Sequence, residues 1–110
     1  MKQRKYISVG GLVGMGFDAT AQFLLTVSHS GRGVFAVNTW ERVARNPELA
    51  YPEDGKAVGI GPIAGEVITV AEMDKNERIA LISPNGRIHL LYESGCITIE
   101  EEGTEHAGGA

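Results

Sequence analysis

Apolar residues recur at every second position in the C-terminal half of the chain: Ile79 and Leu81, then Ile88, Leu90 and Tyr92, then Ile97 and Ile99. A period of two sends alternate side chains to opposite faces of an extended backbone, so each group predicts a half-buried β-strand. Between the first two groups lies Ser83-Pro84-Asn85-Gly86. Pro84 presets the φ angle at the second position of a turn, and Asn85 and Gly86 accept bent or left-handed conformations, so the stretch predicts a hairpin. Glu93 to Gly95 predicts a second turn of the same kind.

The N-terminal half carries the same order of features. "LLTVSHSGRGVFAVNTWERVA" aligns with "IALISPNGRIHLLYESGCITI", so that Ser28, Gly31 and Arg32 stand where Ser83, Gly86 and Arg87 stand. Upstream, each copy has an apolar segment ending in an Asp-containing turn, at Asp18 and Asp74. The reading is an imperfect duplication with a period of about 55 residues, with units at 6–45 and 65–102. The connector 46–64, with Pro47, Pro52 and Pro62, is expected to resist regular structure, apart from a turn at Pro52-Glu53-Asp54-Gly55. Residues 103–110 are expected to be a disordered tail. Together these features predict one all-β domain over residues 1–102. Its two antiparallel sheet units would either pack as a small sandwich or barrel, or form propeller-like blades completed by oligomerisation.

The order of apolar run, Ser-x-Ser-Gly-Arg turn, apolar run and "NTWERVAR" resembles a blade of the WD40-type β-propellers. Trp40 and Glu41 stand near the place of that family's Trp-Asp pair, while the pair itself and the usual Gly-His pair are missing. The resemblance covers Gly14 to Arg45 and, more faintly, Glu66 to Glu100. It implies four-stranded antiparallel sheets and a scaffold that binds other proteins.

Composition narrows the picture. With 43% hydrophobic and 22% charged residues, the 110-residue chain suits one globular domain. Ten Lys and Arg against 14 Asp and Glu give a net charge of -4, which disfavours nucleic acid as a partner. The basic cluster Lys2, Arg4 and Lys5 and the acidic cluster Glu100, Glu101, Glu102 and Glu105 read as solvated termini. A single cysteine, Cys96, and no apolar run near the ~20 residues of a membrane span lead to the expectation of a cytoplasmic protein without membrane attachment.

Candidate chemistry is sparse. Gly10, Gly14 and Gly16 have the spacing of a dinucleotide loop. Phe17, Ala21, Leu24 and Leu25 follow at helical spacing, with Asp18 as N-cap and Gly31 as a stop. Against this alternative stand the short chain, the missing acidic residue at Asn38-Thr39, and the low helix propensity of "TVSHSG". Ser28, His29 and Ser30 are neighbours in a turn, where adjacency does not assemble a catalytic pair, and Cys96 in a β-prone run reads as structural. His29, His89 and His106 have no metal-ligand spacing, so neither metal nor cofactor is expected. Trp40, Arg42, Tyr51, Glu53 and Asp54, in or near the long connector, are the candidate partner contacts, although for Trp40 covering a sheet edge or the core is the favoured reading. The functional expectation is a non-enzymatic module that binds a protein partner or a second copy of itself. The alternative is a nucleotide-binding enzyme or subunit.

Overall fold

A computed structural model describes residues 2–48 and 51–102. The first half supplies β1 (Lys2–Ser8), β2 (Leu12–Phe17), β3 (Phe23–Ser28), β4 (Gly31–Ala36) and β5 (Arg42–Asn46). Then come β6 (Lys56–Val58), a 3-10 turn (Gly61–Ile63), β7 (Val67–Thr69) and β8 (Ala71–Glu72). The chain ends in β9 (Ile79–Ile82), β10 (Ile88–Glu93) and β11 (Cys96–Glu102). All strand pairs are antiparallel, in a four-stranded sheet β1-β11-β10-β9, a five-stranded sheet β5-β4-β3-β2-β8 and a hairpin β6-β7. The all-β sandwich is therefore what the chain adopts, and among the described residues no α-helix occurs.

The layering follows from the apolar pattern. Leu12, Met15, Phe17, Leu24 and Phe35 line one face of the five-stranded sheet and meet Ile79, Ile88, Leu90, Tyr92, Ile97 and Ile99 of the four-stranded sheet. Leu25, Val27 and Val34 line its other face and meet Ala57, Ile63, Ile68 and Val70 from the hairpin region. The middle sheet is thus covered on both sides. This is why β3 reads Phe-Leu-Leu-Thr-Val without alternation, whereas β10, exposed on one face, alternates strictly. Each of these aliphatic side chains, once buried, contributes about 1.5–3 kcal/mol.

The turns form where the sequence places them, and the two Asp turns share one hydrogen-bond pattern. Asp18 Oδ1 accepts from the N–H of Gln22, four residues on, and Asp74 Oδ1 accepts from that of Arg78, again four residues on. In both, the third residue after the Asp, Ala21 or Glu77, sits at φ 60 and donates its N–H to the Asp carbonyl. Ser83 Oγ accepts from Ile88 N–H inside the second hairpin, and Ser28 Oγ donates to Gly31 O inside the first.

Three expectations are corrected. The connector is not irregular: Asp54 and Gly55, at φ 52 and 71, make a two-residue turn between Glu53 and Lys56, and β6 then pairs with β7. Burial of Ala57, Ile63 and Ile68 against the middle sheet offsets the entropy of ordering this segment. The two units do not each close their own sheet either, because β1 pairs with β11 and β8 pairs with β2. The charged clusters, read as solvated termini, explain the first exchange. Lys2, Gln3 and Arg4 lie opposite Glu102, Glu101 and Glu100, and Arg4 Nη2 donates to Glu100 Oε2 at 2.5 Å. Opposite charges on facing strands favour this register over its neighbours. The tail at 103–110, including Glu105 and His106, lies outside the described residues. Among those described, no helix is long and apolar enough to cross a membrane.

Candidate functional site: a cleft at the open corner of the sandwich

Along one side the two large sheets are joined, as β8 passes through the Asp74 turn into β9. On the other side, the end of β1 (Ile7 to Gly10) and the inner face of β3, β4 and β5 leave a cleft of about 280 Å³ between them. Its floor is polar because the inner face of the middle sheet changes character along its length. Leu24 is followed at successive inward positions by Thr26 and Ser28, and Phe35 is preceded by Gly33 and Gly31. The absence of a side chain at Gly33 leaves space here, since a Cβ on it would stand 3.1 Å from Thr26 Oγ1 and 3.6 Å from Arg42 Cδ, whereas Gly31 is needed for the close approach of the Asn46 and Pro47 backbone.

The cationic wall depends on an irregularity of β5. Arg42 and Arg45 are three residues apart, which on a regular strand places them on opposite faces. The register slips here: Phe35 is opposite Arg42 and Val34 is opposite Ala44, leaving Val43 as an extra residue. This β-bulge turns Ala44 to the hairpin side, while Arg45, opposite Gly33, comes onto the same face as Arg42. Both arginines line the cleft, and among the described residues no acidic residue lines it and neither arginine is in an ion pair. Arg32, also along this wall, sends Nη1 through to Val58 O at 2.9 Å, and its Nε is buried without a partner.

Hydroxyl groups complete the floor. Thr26 Oγ1 donates to Gly33 O, Ser28 Oγ donates to Gly31 O, and Ser30 Oγ lies 3.1 Å from Ser28 Oγ. Ser8 borders the cleft on the β1 side, between Ile7 and Val9, which pack against the core. A volume of about 280 Å³ lies just below the usual range for small-molecule sites, so it admits one charged group or side chain and not a dinucleotide. A second cleft, about 570 Å³, lies by Ala21, Gln22, Val37, Asn38 and Glu101 and has no convergent cations.

The five residues read as partner contacts separate. Arg42 belongs to the cleft. Trp40 is only 7% exposed and part of the inter-sheet core, with Nε1 donating to Glu101 Oε2 at 3.0 Å, so it is unavailable to a partner. Its backbone, at φ 59, takes a conformation uncommon for a bulky residue, and burial of the indole holds it there. Tyr51 is exposed and shares a 3.2 Å hydrogen bond with His29 Nδ1, its ring meeting that imidazole edge-on. Glu53 and Asp54 form the β6 turn, with Glu53 beside Tyr51 in a shallow depression.

The three glycines of the nucleotide alternative do not form a loop before a helix. Gly10 is in the β1-β2 turn, Gly14 and Gly16 are inside β2, and the segment read as helical is strand β3. A Cβ at Gly16 would stand 2.2 Å from Thr69 O, so this glycine serves the close approach of β7 and not of a pyrophosphate. Arg45 and Thr26 were not among the sequence candidates. The only signal for Arg45 is its spacing from Arg42, which becomes informative once the bulge is known. Among the described residues no group of three His, Cys, Asp or Glu converges as a metal site would require. Compared with known proteins, the chain matches no family model, no curated protein and no solved structure.

Proposed function

We propose that the chain is a non-enzymatic protein-binding module that holds an acidic segment of its partner at the open corner between β1 and β5. The observation carrying this reading is the pair Arg42 and Arg45. In a chain of net charge -4, a bulge brings two arginines onto the same face, beside one cleft that no carboxylate among the described residues lines. Such cations attract a negatively charged segment from solution and add affinity when it docks. β5 also ends its sheet, and its outward backbone groups have no backbone partner among the described residues. An extended segment lying along that edge can therefore gain main-chain hydrogen bonds as well as ionic ones.

A direct test uses a ten-residue Glu-rich peptide and a Lys-rich peptide of equal length, followed by fluorescence anisotropy. The acidic peptide is expected to bind, more weakly as salt rises, and to lose at least about tenfold in affinity on Arg42→Ala combined with Arg45→Ala. Equal binding of both peptides, or full binding by the double variant, contradicts the reading.

A further inference from the structure

We infer that the cleft is selective for a phosphoryl group on the bound segment, such as a phosphorylated serine or threonine, over a simple carboxylate. This rests on the reading of the corner as a site for an acidic segment and adds the chemistry of the group it takes. Three observations carry it.

The first is charge. Arg42 and Arg45 lie opposite Phe35 and Gly33, two residues apart on β4 and so about 7 Å apart along the strand, within the joint reach of two arginine side chains. Two guanidiniums that converge on one group match a dianion. A carboxylate carries half that charge and leaves one cation with a weaker partner. A phosphoserine carries about -1.5 to -2 at neutral pH and presents three acceptor oxygens. Arginine, with its planar fork of donors, recognises such a group bidentately.

The second is the lining. Among the described residues no side chain lining the cleft is a carboxylate that would repel an anion, and Ser30 Oγ stands at its edge, 3.1 Å from Ser28 Oγ. Ser28 Oγ and Thr26 Oγ1 donate their protons to the Gly31 and Gly33 carbonyls, so the donors to an anion are those of the two arginines.

The third is size. About 280 Å³ is enough for a phosphoryl head and the first carbons behind it, and Gly33 keeps space open next to Arg42. Free phosphate shares this chemistry. A peptide adds the outward backbone of β5 as a second attachment, which inorganic phosphate cannot use.

The experiment titrates the whole chain with four probes. They are a ten-residue acidic peptide carrying one phosphoserine, the same peptide with Glu in its place, the same peptide with unmodified Ser, and inorganic phosphate. The phosphopeptide is expected to bind at least about tenfold more tightly than the Glu peptide and the Ser peptide, and more tightly than phosphate alone. Arg42→Lys, which keeps the charge and removes the fork, is expected to lower the preference for phosphoserine over Glu. Arg45→Ala is expected to remove most of that preference. Because both arginines are exposed, their circular dichroism should match that of the unaltered chain. If the Glu peptide equals or exceeds the phosphopeptide, the phosphoryl inference is overturned and the acidic-segment reading stands. If neither charged peptide binds, both are overturned. Phosphate alone binding as tightly as the phosphopeptide would overturn the peptide as the natural ligand.

Discussion

Asp18 shows how one buried carboxylate can hold a turn. Burial alone would raise its pKa, but the Thr20 hydroxyl and the N–H groups of Phe23, Gln22 and Thr20 all donate to it and together hold it below the usual carboxylate value. A carboxyl depressed in the folded state stabilises the fold fully above its unfolded pKa, and that contribution is lost as pH falls through the lower folded value. Asp18→Ala is expected to cost about 1–2 kcal/mol in urea unfolding at pH 7, since it removes the acceptor of several part-buried hydrogen bonds. Asp18→Asn should also flatten the loss of stability that the unaltered chain shows below about pH 4. An Asn variant as acid-sensitive as the original would contradict this account. The sequence marks Asp18 as a turn residue through its place before "ATAQ", and the shared pattern at Asp74 follows from the same spacing. It does not decide whether Trp40 is core or contact, because a lone tryptophan after a turn suits both. The outcome depends on Glu101, 61 residues away, which accepts the indole N–H.

At the scale of elements, strands and turns were readable because they are local: alternation in β9, β10 and β11, and Ser-x-x-Gly-Arg at both hairpins. Pairing between distant strands was less readable. The basic start and the acidic end are a visible signal for β1 against β11, but the same clusters are also what solvated termini look like. The connector misled for a different reason. Its prolines and glycines flank β6 and β7 without entering them, and the need to cover the second face of the middle sheet is a property of the assembled fold. The glycines of β2 test that layer. Gly16→Ala places a Cβ 2.2 Å from Thr69 O and 2.9 Å from Ile68 Cγ2, so β7 must move away at a cost of about 1–3 kcal/mol. Hydrogen exchange is expected to show early loss of protection in β6 and β7 while β10 and β11 stay protected. Gly10→Ala meets nothing within 4 Å and should change stability by less than about 0.5 kcal/mol. If both substitutions were equally harmless, the close approach of β7 to β2 would be wrong.

For the whole molecule, the central consequence is asymmetry. One side of the sandwich is joined by the Asp74 turn, and the other is left open, with cations along it in an otherwise acidic protein. Half of that site was readable, since Arg42 stood out beside Trp40. Arg45 and the hydroxyl floor depend on a bulge and on how two sheets meet, neither of which any local pattern records. The most direct measurement is the change in backbone amide chemical shifts as the Glu-rich peptide is added. Shifts gathered at Ile7 to Gly10, Thr26 to Phe35 and Arg42 to Asn46 are the expected result. Shifts gathered instead on the β6-β7 hairpin or on the outer face of β10 and β11, or none at all, would contradict it.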